Sequence, residues 1–327
     1  MLRSYFFHYN CTFVYTYLLN TAFVSKGYYC SPMKWKLLCV SAILYFLFPL
    51  FLSAQLADIV RVDFTILPSG SSNFEFSRIR TSFNYPFKLK NEKGYLFLGL
   101  DYSNINFVYS SDELSFDTEA ITEFQIIDLN IGYAVKLKND WLLGARFTPG
   151  ISSNLKLFDS STEDIVFSGD LVFIKDMKDQ SKTTPYRLIV GISYSGNRGF
   201  PFPLPFLSYY RKFQPNWSYN LGIPKTNLQY HFSEKNRLKL YAQLDGFTAN
   251  INGGTSVEQD VAESINMSLI LAGIQYEYHF KDHFEFYLRT SYILNRNVQL
   301  RDAKRKDLYL IDDSNGGYIS TGLRIKI

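Results

Sequence analysis

Ile127-Asp128-Leu129-Asn130-Ile131-Gly132-Tyr133-Ala134-Val135-Lys136 is the stretch that decides the fold. Five apolar side chains alternate with aspartate, asparagine, glycine, alanine and lysine. Successive side chains of a β-strand point to opposite faces, so a period of two gives one apolar and one polar face. The same pattern recurs on both sides of this segment. Val60, Val62, Phe64 and Ile66 alternate with Arg61, Asp63 and Thr65, and Ile79, Thr81, Phe83 and Tyr85 with Arg80, Ser82 and Asn84. Tyr186, Leu188, Val190, Ile192 and Tyr194 interleave with Arg187, Gly191, Ser193 and Ser195. Phe284, Phe286, Leu288, Thr290 and Tyr292 do so with Glu285, Arg289 and Ser291. No 3.6-residue stripe runs longer than three turns. The chain is all-β.

A soluble sandwich and a membrane barrel both alternate, and run length separates them. Soluble strands average about 5–6 residues. A tilted strand needs roughly 9–11 to cross a bilayer, and several runs here reach that length. The 327 residues include 25 Tyr and 29 Phe, an aromatic content of 17%, while mean hydropathy is only −0.10. That is too polar for a bundle of membrane helices, and it suits apolar surface spread over many strands. Tyr85, Tyr102, Trp141, Tyr194, Tyr278 and Tyr292 stand near run ends, where interfacial girdles sit. Only a closed barrel pairs every backbone group in lipid without helices. The expectation is a single antiparallel transmembrane β-barrel.

The N-terminal region reads differently. Met33-Lys34-Trp35-Lys36 precedes an apolar run from Leu37 to Leu52 and then Ser53-Ala54-Gln55. This is the layout of a cleaved signal peptide over 33–54, with the barrel at 55–327. Residues 1–32 then read as a mis-assigned upstream start or a hydrophobic extension. Cys11, Cys30 and Cys39 all fall before the cleavage point, so the barrel carries no disulfide or thiol chemistry. The same removal takes Arg3, Lys26, Lys34 and Lys36 and no acidic residue. Taking these four from 34 leaves 30 basic residues against 30 acidic, a net charge of zero. The formal +4 belongs to the leader, and no nucleic-acid partner is implied.

Strands are expected at 56–67, 74–89, 95–107, 120–137, 141–157, 164–175, 186–196, 205–213, 217–223, 226–232, 237–248, 264–280, 284–295 and 317–327. That makes about fourteen, with twelve the alternative, because Pro224 interrupts a short pair at 217–232. Short turns at 91–94, 138–140, 214–216, 233–236 and 281–283 roughly alternate with longer loops at 109–119, 158–164, 197–205, 250–263 and 295–317. The connection at 175–185 is long where a short turn is due.

The polar face supplies the candidate site. Arg61, Arg80, Arg187 and Arg289 face Asp101, Asp128, Asp170, Asp245, Glu277 and Glu285 across the lumen. Such a lining either selects solutes or pairs into a network that fills a narrow barrel. Metal and nucleophile motifs are absent. His279 and His283 flank a short turn and read as solvated. Gly191-Ile192-Ser193-Tyr194-Ser195 departs from a nucleophile elbow at its last residue and lies inside a strand. No metal site, cofactor or enzymatic activity is expected. The expected partners are outer-membrane lipid and the barrel-assembly machinery.

One region carries a family resemblance. Phe200-Pro201-Phe202-Pro203-Leu204-Pro205-Phe206 leads to Tyr209-Tyr210-Arg211, then Trp217, Pro224-Lys225 and Asp245-Gly246-Phe247. This succession resembles a family of outer-membrane β-barrel proteins of unknown function from Bacteroidetes-type bacteria. The resemblance covers most of 55–327 and implies a barrel in the bacterial outer membrane, without implying an activity. Three prolines cannot pair in a central strand, so 200–205 also reads as a stiff loop. The leading functional expectation is a passive small-solute channel or a structural envelope component. The alternatives are a barrel enzyme acting on lipid or peptide, or a surface-binding module.

Overall fold

Alternating runs become paired strands wherever a neighbour of matching register lies alongside. The computed structural model describes residues 58–70, 74–89, 94–110, 114, 116–155, 161–177, 186–281 and 283–326, so the proposed leader segments lie outside the described residues. The strands are β1 (Asp58–Leu67), β2 (Phe74–Lys88), β3 (Gly94–Tyr109), β4 (Glu123–Lys136), β5 (Trp141–Ser153), β6 (Ile165–Asp176), β7 (Tyr186–Ser195) and β8 (Leu204–Gln214). They continue as β9 (Trp217–Ile223), β10 (Lys225–His231), β11 (Asn236–Val257), β12 (Asp260–Lys281), β13 (Phe284–Arg301), β14 (Asp307–Asp312) and β15 (Gly316–Lys326). Each pairs with the next as far as β13, β13 pairs on with β15, and β15 returns to β1. Fourteen strands thus close a ring of antiparallel neighbours. The fifteenth, β14, pairs only with the far end of β13.

Pro224 falls between β9 and β10, which are separate strands of seven residues each, so the weak pair at 217–232 counts twice and the parity is even. Val62, Phe64, Leu100, Phe147, Phe167, Ile192, Leu221, Leu240 and Leu323 all point outward, with Leu240 60% exposed. An apolar surface of this extent is far beyond the scattered patches of a soluble protein. Aromatic pairs ring the rim where β1 begins and β15 ends: Tyr85–Phe87, Trp217–Tyr230, Tyr230–Phe232 and Tyr278–Phe280, each with centroids 4.8 Å apart.

Two expected loops are strands. The segment 250–263 belongs to a hairpin of two 22-residue strands, β11 and β12, which turns at Glu258 (φ 55°). Within 295–317, β13 runs on to Arg301 and pairs with β14. Asn-Gly-Gly-Thr-Ser at 252–256 has loop composition, yet Thr255 and Ser256 pair with Ala262 and Val261 across the hairpin. Where 175–185 was the long misfit, β6 ends at Asp176 and β7 starts at Tyr186, and residues 178–185 lie outside the described set.

The long hairpin does not continue the wall. At Gly246 (φ 147°) β11 turns into the lumen, and Asn250 meets Ser153 of β5, six strands away around the ring. Asp245 fixes this corner, accepting from Arg78 at 2.9 Å, from the Tyr318 hydroxyl at 2.7 Å and from the Gly246 amide at 2.8 Å. A Cβ at Gly246 would lie 2.0 Å from the Met267 carbonyl oxygen. Gly246→Ala is therefore expected to cost about 1–3 kcal/mol, in a backbone region only glycine enters without strain. The measurement is the urea midpoint of the heat-modifiable folded band on electrophoresis, and an unchanged midpoint would refute it.

Candidate functional site

Past the corner, Phe247 fills the lumen. Its ring lies 6.2 Å from Phe76 of β2 and 5.9 Å from both Phe107 of β3 and Phe124 of β4. Around it Leu67, Ile105, Ile126, Ala249, Ile265, Met267, Leu300 and Ile311 form one buried cluster drawn from the wall and the folded hairpin. Polar bonds tie the hairpin to the opposite wall. Ser152 Oγ donates to the Thr248 carbonyl at 2.7 Å, and Thr255 Oγ1 donates to the Asp117 carbonyl at 3.2 Å. One end of the barrel is therefore closed by a hydrophobic cap made from its own strands.

Beneath the cap lies a cavity of about 690 Å³. Asp58, Tyr133 and Leu142 line it towards the rim where β1 begins, and Arg80, Asp101, Asp128, Arg146, Asp170 and Arg198 line it at mid-height. All ten charged residues singled out in the sequence are buried or half-buried, and most alternate with outward apolar residues such as Val62, Ile79, Leu100, Leu129, Leu171, Phe284 and Leu288.

Most of these charges are consumed by pairing. Arg61 holds Asp63 at 2.5 Å, and Asp245 is bound by Arg78 and Tyr318. Asp170 accepts from Arg146 Nε at 2.6 Å and from Ser193. Arg187 reaches Asp176 at 2.8 Å. Glu277 takes Lys239 at 2.5 Å, and Glu285 takes Arg324 at 3.0 Å and Lys326 at 2.5 Å. Arg289 donates to Gln275 at 3.1 Å and lies 5.2 Å from the rings of Tyr241 and Tyr287. Arg80 and Arg198 differ: among the described residues neither has a carboxylate within ion-pair distance, and Arg198 is solvent-accessible inside the cavity. Asp101 keeps a buried oxygen without a partner, and Asp128 accepts from Asn197 at 2.8 Å. Arg146 lay on the same alternation and could have been found by parity. Arg198 could not, because it comes from a loop.

His279 is a correction. It is not a solvated turn residue but faces the lumen, half-buried, with Nε2 3.0 Å from Glu285. Strand parity carries it inward even one step from the turn, while His283 stays exposed. One ligand atom each from Glu277, His279 and Glu285 lies within 4.8 Å of the others, the spacing a metal needs. Lys239, Arg324 and Lys326 already contact those carboxylates, so a divalent cation there would meet three positive charges. The structure also brings together a pair that sequence reading missed, Ser218 Oγ at 3.0 Å from His231 Nε2. Gln229 contacts the same ring nitrogen at 3.0 Å, and Ser218 is fully buried. Gln229 Nε2 also lies 3.4 Å from His231 Nδ1, and the full burial of Ser218 leaves its hydroxyl no access for a substrate, which a serine nucleophile needs.

The family-like stretch has a definite place. Pro201 and Pro203 lie in the β7–β8 connection, and Pro205, Tyr209, Tyr210 and Arg211 on β8. Trp217 opens β9 and Lys225 opens β10, with Pro224 between them, while Asp245 and Gly246 form the corner of β11. What these features define is an antiparallel barrel of the outer-membrane type, apolar outside, charged within and capped at one end. The chain belongs to the family described as a domain of unknown function, DUF6268, which it matches over residues 69–326. No curated protein matches it. Among solved structures it is similar to the COG4313 outer membrane channel from Pseudomonas putida F1, at 10% identity and a TM-score of 0.40 over 85% of this chain and 100% of that one. It is also similar to a KdgM porin, at 8% identity and TM-score 0.35 over 82% and 99% of the two chains. LpxR from Salmonella typhimurium gives 7% identity and TM-score 0.39 over 82% and 99%. Similarity this remote concerns fold alone.

Proposed function

We propose that this chain is a non-enzymatic barrel of the outer membrane of a Gram-negative, Bacteroidetes-type cell, admitting a small solute to a capped lumen. The observation that carries the reading is the cavity of about 690 Å³ below the cap, into which Arg80 and Arg198 project without ion-pair partners. A purely structural barrel of this width gains nothing from leaving charges unpaired, since each costs desolvation without return. The outward apolar belt and the aromatic rim support the membrane location. The paired remainder of the lining braces the wall.

Thiol labelling tests this, because 58–326 contains no cysteine. Ser82 lines the cavity, so Ser82→Cys in isolated outer membranes is expected to react with a small charged maleimide within minutes. Leu129→Cys, facing outward into lipid, is expected to stay unlabelled. Protection of Ser82→Cys equal to that of Leu129→Cys would mean a filled, structural barrel.

A further inference from the structure

The cap leaves a second opening, in the side of the barrel. β9 and β10 have seven residues each, about 23 Å at ~3.3 Å per residue. At a tilt of about 40° this gives roughly 18 Å of height, short of a ~25 Å apolar band. Leu204, Pro205 and Phe206 of β8 pair with β7, but β9 reaches only as far as Leu207. On the other side β10 pairs with β11 up to Gln243, the Leu244 amide donates to the Pro224 carbonyl at 2.9 Å, and β11 then turns inward at Gly246. Between β8 and β11, above Pro224, the wall has no strand among the described residues.

The gap is framed. The β7–β8 connection crosses above it, with the Thr248 amide donating to the Asn197 carbonyl at 3.0 Å and Ser268 Oγ to the Gly199 carbonyl at 2.8 Å. Gly199 (φ 79°) permits this contact, since a Cβ there would lie 2.2 Å from the Met267 carbonyl oxygen. Pro224 forms the sill. The cavity lining runs from Asp101 and Asp128 through Arg198 to Phe200, Phe202, Phe206 and Leu244, so the chamber is continuous with this window. Phe202 is 52% exposed. Apolar side chains flank the window, and outside it Leu207, Leu221 and Ile223 belong to the lipid-facing belt.

We infer that the window admits the acyl chain of a membrane amphiphile, laterally from the bilayer, with its polar head in the chamber beside Arg80 and Arg198. The surface continuous with the window is the one that contacts acyl chains, so a chain can enter without crossing a polar rim. A water-soluble solute would instead have to desolvate against the phenylalanines. The charges deeper in suit a head group that both accepts and donates hydrogen bonds. The inference rests on the membrane reading above and extends it to a ligand class.

Bimane attached at single cysteines, in vesicles of phosphatidylcholine with brominated acyl chains, tests the window. Leu207→Cys faces the bilayer and is expected to be quenched. Ile189→Cys faces the lumen behind an intact wall and is expected to escape. Phe206→Cys faces the lumen but borders the window, and is expected to be quenched at least half as strongly as Leu207→Cys. Quenching of Phe206→Cys no greater than that of Ile189→Cys overturns the inference while leaving the membrane reading intact. Loss of quenching at Leu207→Cys overturns the membrane reading itself. Leu204→Cys, on the same face and edge, serves if Phe206→Cys does not fold.

Discussion

Excising Phe247–Met267 and joining Gly246 to Ser268 through an Asn-Gly turn is expected to turn a silent barrel into a conducting one. Gly246 and Ser268 are already direct partners across the hairpin, so a two-residue type I′ turn can close the shortened strands. The wall survives, because β11 pairs with β10 only between Arg237 and Gln243, and β12 still pairs with β13 from Ser268 downward. What is lost is the Phe247 ring against Phe76, Phe107 and Phe124, together with Ala249, Ile251, Val257, Ile265 and Met267. A fourteen-strand lumen is wide enough for water once nothing fills it. In planar bilayers the full chain is expected to give no steady current at low voltage, and the excised variant more than about tenfold higher mean current. A folded, heat-modifiable variant that stays silent would show that the cap is not the barrier.

The wall was legible in the sequence and the cap was not, for one physical reason. Alternation is local: Ile127 to Lys136 carries its two faces in ten residues, whatever partner it finds. The inward bend depends on a contact between Gly246 and Met267 and on Asp245 meeting Arg78, 167 positions away in sequence. No window of sequence holds both ends of such a contact. Segment 250–263 misled for the same reason, since Gly253 (φ 78°) and Gly254 (φ 65°) are turn-like residues in a bulge between Asn250 and Thr255, on both sides of which the partner strand keeps the hairpin paired. Parity put Arg61, Asp128 and Glu285 on the interior face, but it could not say which charges pair. Arg187 finds Asp176 on the next strand, whereas Arg80 finds no carboxylate within ion-pair distance among the described residues. His279 shows parity overruling proximity to a turn. The window was invisible because it is a missing neighbour, although the proline-rich stretch that frames it stood out in composition.

Arg296→Met is expected to be the most destabilising single substitution in the capped half. Arg296 is 2% exposed, its Nη1 lies 2.6 Å from Asp312 Oδ2, and its guanidinium sits 5.7 Å from the Phe74 ring. The pair joins β13 to β14 where both lie over the cluster that closes the lumen. Replacing the arginine leaves the Asp312 carboxylate, 7% exposed, without that cation. Removing one partner of a buried pair typically costs about 3–5 kcal/mol, mostly the desolvation of the charge left behind. A control follows, because the penalty belongs to a carboxylate that has lost its cation, while it keeps the Ser314 amide at 2.9 Å, and not to the lost contact. Arg296→Met combined with Asp312→Leu should recover most of the loss, to within about 1–2 kcal/mol of the original chain. Urea midpoints of the folded band report both variants. A double variant as unstable as Arg296→Met alone would mean that the guanidinium acts through its packing on Phe74, and that the electrostatic account of this corner is wrong.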